Sequence, residues 1–549
     1  MYDSIFVGGL AFTAGWPTSR AVGVGVLNGR IAAVEPDDVL RKAGARDVIE
    51  LEGGLIMPAF HDAHAHPIPG AIELMQCDLS QALDADDALR RIAAYASSHL
   101  EEEWILGGGW SMPHFAGGTP TRKALDEIVP DRPVALLNRD HHGVWVNSRA
   151  LERAGIDRHT LDPTDGRIER EPDGSPAGVL HEGAMHLLDT VRPRVESGFA
   201  LRALRRAHEE FFALGVVGWQ DAYVGATAGL DDLLDTYQSA LSEGQLSARV
   251  TAALWWQRGV GIGQLEDLLD RRARVESLGR PDVLLADTVK IMVDGVAENF
   301  SAAMSQPYTD PHGHGSHGCG TTFLDAAELT EAVIALDAAD FSVHMHALGD
   351  RAVTIALDAL EAARAANGPS ARRHQLAHLQ VVQGSDVDRF AQVGAFANLQ
   401  LLWGAVDDQL EELTFPFLSP SLIDRHYPFR ELRDAGASLA AGSDWPVSSA
   451  NPWEAIHVAV NRALPGRRAD SRINPSQAID LATALSAYTA GSAAAGGRAG
   501  FSGALRRGLA ADLVVLSTDP FAAPPELLHK VQARRTYLEG RCVFGDGPS

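Results

Sequence analysis

Cysteine is scarce in this chain: three residues, Cys77, Cys319 and Cys542, none in a Cys-x-x-Cys spacing. An odd, widely separated trio argues against a disulfide framework or a cysteine-built zinc site, and it fits a reducing, cytoplasmic setting. Positive charge is also short. Against 72 Asp and Glu there are 47 Lys and Arg, a formal net charge of -25. That balance repels phosphate backbones and anionic lipid, so neither a nucleic-acid nor a membrane partner is expected. No uncharged apolar run approaches the ~20 residues of a membrane span. The opening "MYDSIFVGGLAFTAG" lacks the basic and then apolar regions of a signal peptide. There is no Gly-x-Gly-x-x-Gly after a strand and no Walker loop, and "LGGGW" at 106–110 is too short to cradle phosphates. This argues against a nucleotide-binding open sheet. Internal repeats and low-complexity tracts are absent; the nearest is a Gly/His loop, "PHGHGSHGCG", at 311–320.

What is present is enough apolar residue, 46% of 549, to bury a large core. Both ends read as strands. Asn28-Gly29 between two apolar runs is a hairpin signal, and Glu539-Gly540 sits in a similar pattern near the other end. One small β-sandwich domain built from residues 1–57 and 503–549 is therefore expected. Between them, strand and helix patterns alternate. Asp325 is placed to cap a helix with Glu328 three residues on, and Asp350 to cap the next, which ends at Asn367-Gly368. Repeated βα units predict an α/β fold with a parallel sheet, open or closed into a (β/α)8 barrel, over residues 58–502. The turn-rich stretch at about 70–200 reads as an α+β subdomain inserted early in that barrel.

The chemistry lies in polar residues that end apolar segments. In "FHDAHAHP", His64 and His66 are two apart and share one side of a strand, whereas His61 has the opposite parity. Lys290 lies inside "LLADTVKIMVDG", where a buried cation is costly unless compensated. His346, His378 and Asp444 end "FSVHMHALGD", "RHQLAHLQ" and "ASLAAGSD". All fall at the C-terminal ends of expected parallel strands, the face on which barrels build active sites. Imidazole and carboxylate suit zinc, and also Fe, Mn, Co or Ni.

These segments, with "VALLNRDHHGVWVNSRAL" and "DGSPAGVLHEGA", resemble the amidohydrolase superfamily, and more narrowly its family 3, the YtcJ-like group that includes N-substituted formamide deformylase. The resemblance spans nearly the whole chain. It implies a barrel hydrolase in which His64, His66 and Asp444 bind a first zinc ion and His346 and His378 a second. Lys290, N6-carboxylated by CO2, would bridge them; in a mononuclear site it would stay unmodified. It also implies a metal-dependent hydrolase of a small molecule's C–N bond, such as that of an N-substituted formamide or N-acyl amine, with a cyclic amide as the rival substrate. A catalytically silent binding or regulatory relative is the alternative from another class. Asp444 is the expected general base and then acid, and His142 a donor to the oxyanion. Glu182, Trp110, Trp403 and Trp445 are candidate substrate contacts. Asp62 is expected to orient a turn or a ligand imidazole, and His61 to be a surface residue or to support a ligand. A homodimer is compatible with the sequence. Ala59, Ala377 and "VDGVAENF" depart from the family pattern without removing a candidate ligand.

Overall fold

The strand "FHDAHA" is buried along its whole length although half of its residues are polar. A strand of that kind has to lie inside a barrel rather than on an open face. The computed structural model, which describes residues 1–226, 229–309, 318–467 and 473–545, places it first in an eight-stranded parallel sheet. In chain order the barrel strands are β1 (Phe60–Ala65), β2 (Val216–Val224), β3 (Arg249–Trp255), β4 (Leu284–Met292), β5 (Ser342–Ala347), β6 (Gln375–His378), β7 (Phe396–Leu399) and β8 (Ser438–Ala441). Each pairs in parallel with its sequence neighbour. Helices follow β2 to β8, from Leu233–Ser242 to Pro452–Asn461. The ladder is open between β8 and β1, and the seam is joined at its C-terminal end. There Asp444 N donates to His64 O at 2.7 Å and His66 N to Trp445 O at 2.8 Å. Gly442 makes the approach feasible, since a Cβ there would lie 2.5 Å from His64 N.

Between β1 and β2 the chain builds a six-stranded sheet from Cys77–Asp78 to Pro176–Glu182, with a separate apolar core around Trp110, Trp145 and Leu136. The chain ends form two further sheets. One has four strands within Tyr2–Glu50. The other joins Leu10–Ala11 and Leu55–Pro58 to Leu513–Leu516, Ala533–Leu538 and Arg541–Phe544. Both sequence-predicted hairpins form. Asn28 and Gly29 have φ of 51° and 70°, and Glu539 and Gly540 have 49° and 74°, the left-handed pairs that a two-residue loop requires. Asp325 caps its helix by accepting from Ala327 N and Glu328 N. Asp350 does not cap: it is already the first helical residue, and its carboxylate turns to Ser305 N at 2.7 Å. No helix among the described residues is long and apolar enough to cross a membrane. His312, His314 and His317 of the Gly/His loop lie outside the described residues.

His61 is neither at the surface nor beside a ligand. It is buried near the start of β1, with Nε2 3.1 Å from Ser502 Oγ, and burial pushes its imidazole down to about 4. Ser502 donates to Asp512, which also pairs with Arg249 of β3 at 3.1 Å; Arg249 reaches Glu539 at 2.9 Å. This buried network ties the terminal strands to the base of the barrel. Removing one partner of a buried pair strands the other charge. Arg249→Met is therefore expected to lower stability by about 3–5 kcal/mol, read from urea unfolding; an unchanged midpoint would show that the network is dispensable.

His208 gives a pH dependence outside the candidate ligand cluster. Its Nδ1 donates to Leu204 O at 2.7 Å, and burial pushes its imidazole down from 6.5 to about 4. Acid therefore protonates the unfolded chain first. This contribution to stability is complete above pH 6.5 and is lost as pH falls towards about 4. For this one residue the loss amounts to about 3 kcal/mol. His208→Gln should flatten the curve in that window, as measured by urea unfolding at pH 7.5 and pH 5.

Candidate metal centre

The end of every barrel strand that carries a sequence-predicted ligand converges on one place. Asp444 Oδ1 lies 3.1 Å from His66 Nε2 and 3.4 Å from His64 Nε2, and its Oδ2 lies 3.9 Å from His378 Nδ1. Lys290 Nζ is 3.4 Å from His64 Nε2. The His378 ring centroid is 4.7 Å from that of His64 and 4.4 Å from that of His346. His64, His378 and Asp444 bring one ligand atom each within 4.8 Å of one another.

Two of these residues sit in costly backbone conformations. His378 has φ 79° and Asp444 φ 57°, where a side chain other than glycine costs of order 1–3 kcal/mol. Each is pinned by a directed bond: His378 N donates to Gln400 Oε1 at 2.9 Å, and Asp444 N to His64 O. Strain held by such anchors at a cluster of polar groups is a mark of a functional site.

The donors fit a divalent cation. Both ring nitrogens of His378 are buried and lack a hydrogen-bond partner among the described residues, as does Asp444 Oδ1. A buried polar atom left unpaired costs ~1–3 kcal/mol, and a cation would satisfy the Asp444 oxygen and the unprotonated nitrogen of His378. Burial drives the imidazoles of His64, His346 and His378 well below their ordinary value, so each ring stays neutral with one nitrogen unprotonated. Burial also brings Lys290 down to about 8, against the opposing pull of Asp444. Neutral imidazoles with one carboxylate form a donor set of the kind zinc takes.

Several supporting groups were not apparent from the sequence. Asp294, fully buried, holds His346 Nδ1 at 3.2 Å while accepting from Leu348 N, Gly349 N and Ala303 N. His344 places Nε2 2.9 Å from His64 Nδ1. His141 lies 2.7 Å from Glu73 on the cavity wall. The only sequence signal for these residues was charge or imidazole inside an apolar run, as in "MVDG" and "VHMH". Asp62 has the orienting role read from sequence, since Oδ1 accepts from both His64 N and Ser443 N at 3.0 Å.

A cavity of about 1490 Å³ opens over the cluster. His142 and Glu182, from the inserted sheet, line it together. His142 Nδ1 is 2.9 Å from Glu182 Oε2, and Glu182 Oε1 accepts from Ser301 Oγ at 2.8 Å. Burial alone would lower the His142 imidazole, but the Glu182 charge and hydrogen bond push it up to about 9. Trp403 lies parallel to the His378 ring at 5.3 Å, and Trp445 is backed by Phe211; both line the cavity. Trp110 does not. It is fully buried in the inserted sheet, donating Nε1–H to Leu136 O at 2.8 Å, because its position at the end of a strand falls on the sheet face turned to Trp145 and Phe115.

The model of the amidohydrolase family matches residues 47–544. The chain belongs to that family. This amidohydrolase is 31% identical over 99% of its length to protein LONG AFTER FAR-RED 3 of Arabidopsis thaliana, covering 91% of that protein. It is 28% identical to N-substituted formamide deformylase of Arthrobacter pascens, with 98% of each chain covered. Among solved structures, an uncharacterized metal-dependent hydrolase from Pyrococcus horikoshii superposes with a TM-score of 0.72 at 23% identity, over 95% of this chain and 99% of that one. This likeness bears on the fold: the amidohydrolase has an eight-stranded barrel with additional β-sheets.

If the unpaired atoms are cation ligands, His378→Ala should lower the Zn2+ bound per chain, read by elemental analysis after dialysis. Trp110→Phe should leave it unchanged. Equal zinc in both variants and the wild type would remove His378 from the ligand set.

Proposed function

We propose that this amidohydrolase hydrolyses the C–N bond of a small-molecule amide, such as an N-substituted formamide or N-acyl amine, at a zinc centre in the barrel mouth. The observation that carries this reading is the convergence of His64, His66, Lys290, His346, His378 and Asp444 on the floor of one cavity, with buried lone pairs left over. His64, His66 and Asp444 would hold one ion, and His346 and His378 a second. Lys290, part of it neutral at pH 7 because burial lowers it to about 8, would add CO2 as a carbamate, releasing a proton and becoming an anionic bridge. Such a centre supplies Lewis acidity, which polarises a carbonyl and lowers the pKa of water to about 7.

The chain's own groups do the rest. Asp444 takes the proton of the attacking water on a carboxylate oxygen as the new C–O bond forms. It returns that proton to the nitrogen as the C–N bond breaks, so that the products are a carboxylic acid and an amine. The His142 imidazolium, held by Glu182, offers its outer N–H to the carbonyl oxygen as charge develops there. Trp403 and Trp445 form an apolar wall that excludes water from one side of the substrate.

The test is a screen of zinc-loaded enzyme against N-alkylformamides, N-acyl amines, N-acyl amino acids and lactams. Hydrolysis of an open-chain amide is expected. Turnover confined to lactams would shift the reading to cyclic amides, and none at all would reject it. With an active substrate, Asp444→Asn should lower kcat by about 10²–10⁴-fold. His142→Ala should lower it by about 10²–10³-fold with little change in zinc content. A His142→Ala enzyme of normal kcat would confine that residue to fixing its loop.

A further inference from the structure

Beneath the candidate ligands the barrel axis is filled by polar side chains, not the branched aliphatics usual in such barrels. Gln220 of β2, His344 of β5, Gln375 of β6 and Asn398 of β7 are each at most 1% exposed. Their bonds form a continuous chain. Asn398 Nδ2 donates to Ala63 O and to Gln375 Oε1, both at 2.9 Å. Gln375 Nε2 donates to Ala495 O at 3.1 Å and to Gln220 Oε1 at 3.0 Å. Gln220 Nε2 donates to Ala63 O at 3.2 Å and also faces His344 Nδ1. His344 Nε2 completes the chain, 2.9 Å from His64 Nδ1.

The polarity of this chain decides whether His64 can bind a cation. His64 turns Nε2 towards Asp444 and Lys290. A neutral imidazole that ligates through Nε2 carries its proton on Nδ1, and that proton needs an acceptor. The atom in place is His344 Nε2. His344 must then carry its own proton on Nδ1, and the group of Gln220 turned towards it must be the amide oxygen. The structure has the amide nitrogen there. In that orientation His344 Nδ1 accepts, His344 Nε2 donates to His64 Nδ1, and the His64 proton is held on Nε2, where it blocks a ligand bond. Both rings are neutral in either state. The proton that leaves His64 Nε2 balances the one that arrives on His344 Nδ1.

We propose that His344 is a positioning residue of the metal centre, holding the His64 proton on Nδ1 so that Nε2 is presented as a lone pair. Gln220 works against that placement: its amide is held nitrogen-first by donating to Ala63 O and Gln375 Oε1 and by accepting from Gln375 Nε2. The inference rests on reading His64 as a cation ligand.

The test is the affinity of the full-length protein for Zn2+, measured by competition with a chelating dye. The comparison is between wild type, His344→Leu, His344→Gln and Gln220→Met, with thermal melting of the zinc-free proteins to verify folding. Loss of a group that orients a ligand imidazole costs about 10–100-fold in affinity. His344→Leu, which offers no acceptor, should lose that much. His344→Gln, whose amide oxygen can accept, should stay within about threefold of wild type. Gln220→Met removes the nitrogen that opposes loading and should bind no more weakly than wild type, an outcome that a purely structural role for the layer does not give. Equal affinity in His344→Leu and wild type overturns the proposal, as does a folded Gln220→Met that binds as weakly as His344→Leu. If His344→Leu fails to fold, the other two variants decide: weakened binding in both overturns it. A wild type that binds no Zn2+ overturns the metal reading itself, and this proposal with it.

Discussion

The site depends on the seam between the last barrel strand and the first. Adjacent strands elsewhere are joined by full ladders, but β8 and β1 meet through a few bonds at their C-terminal ends. Asp444 N binds His64 O, His66 N binds Trp445 O, and Asp62 bridges His64 N and Ser443 N across 381 residues of sequence. These bonds close the barrel and set the Asp444 carboxylate beside the imidazoles of His64 and His66. Gly442 keeps the backbones close enough for them to form. Closure of the fold and assembly of the ligand set are therefore one event. A change that parts the seam would scatter the ligands even with every side chain intact.

That arrangement carries a local cost. Unpaired lone pairs on His378 and Asp444, positive φ at both, and a buried lysine are each unfavourable by themselves. They persist because the elements that hold them are rigid. Asp294 is fixed by three main-chain N–H groups and in turn fixes His346. At the opposite end of the barrel the Arg249, Asp512, Ser502 and His61 network ties the terminal sheets to β1 and β3. The barrel thus has a satisfied polar base and an unsatisfied polar mouth, the asymmetry expected when one face is for stability and the other for chemistry.

The architecture was largely legible in the sequence, because βα alternation and the two hairpin turns are local signals with few alternatives. The cluster of six candidate ligands was legible too. Each stands at a strand end in a position where an isolated polar residue is expensive, and the resemblance supplied their order. What escaped was whatever depends on which way a side chain points across the barrel. His344 drew no separate reading from the sequence, yet its ring meets His64, 280 residues away. Trp110 looked like a rim residue, yet the pleat of the inserted sheet turns it into a core. Asp350 has the composition of a cap, but tertiary contact with Ser305 claims its carboxylate. Period and composition carry no information about which residues distant in sequence become partners.

The inserted sheet is what separates the reacting centre from the question of substrate. Every candidate ligand comes from a barrel strand or its immediate end, so the barrel fixes where a carbonyl would be attacked. His142 and Glu182 come from the insertion, and Glu182 reaches Ser301 in the loop that follows the Lys290 strand. Asn299 of the same loop donates to His142 O at 3.3 Å. One loop therefore links the Lys290 strand to the group proposed to meet the developing oxyanion. A shift of the insertion would alter the angle between that donor and the candidate ligands without disturbing those residues themselves. In this reading, substrates that differ around the amide nitrogen are sorted by the walls that the insertion and the two tryptophans supply, whereas the bond-breaking groups stay constant.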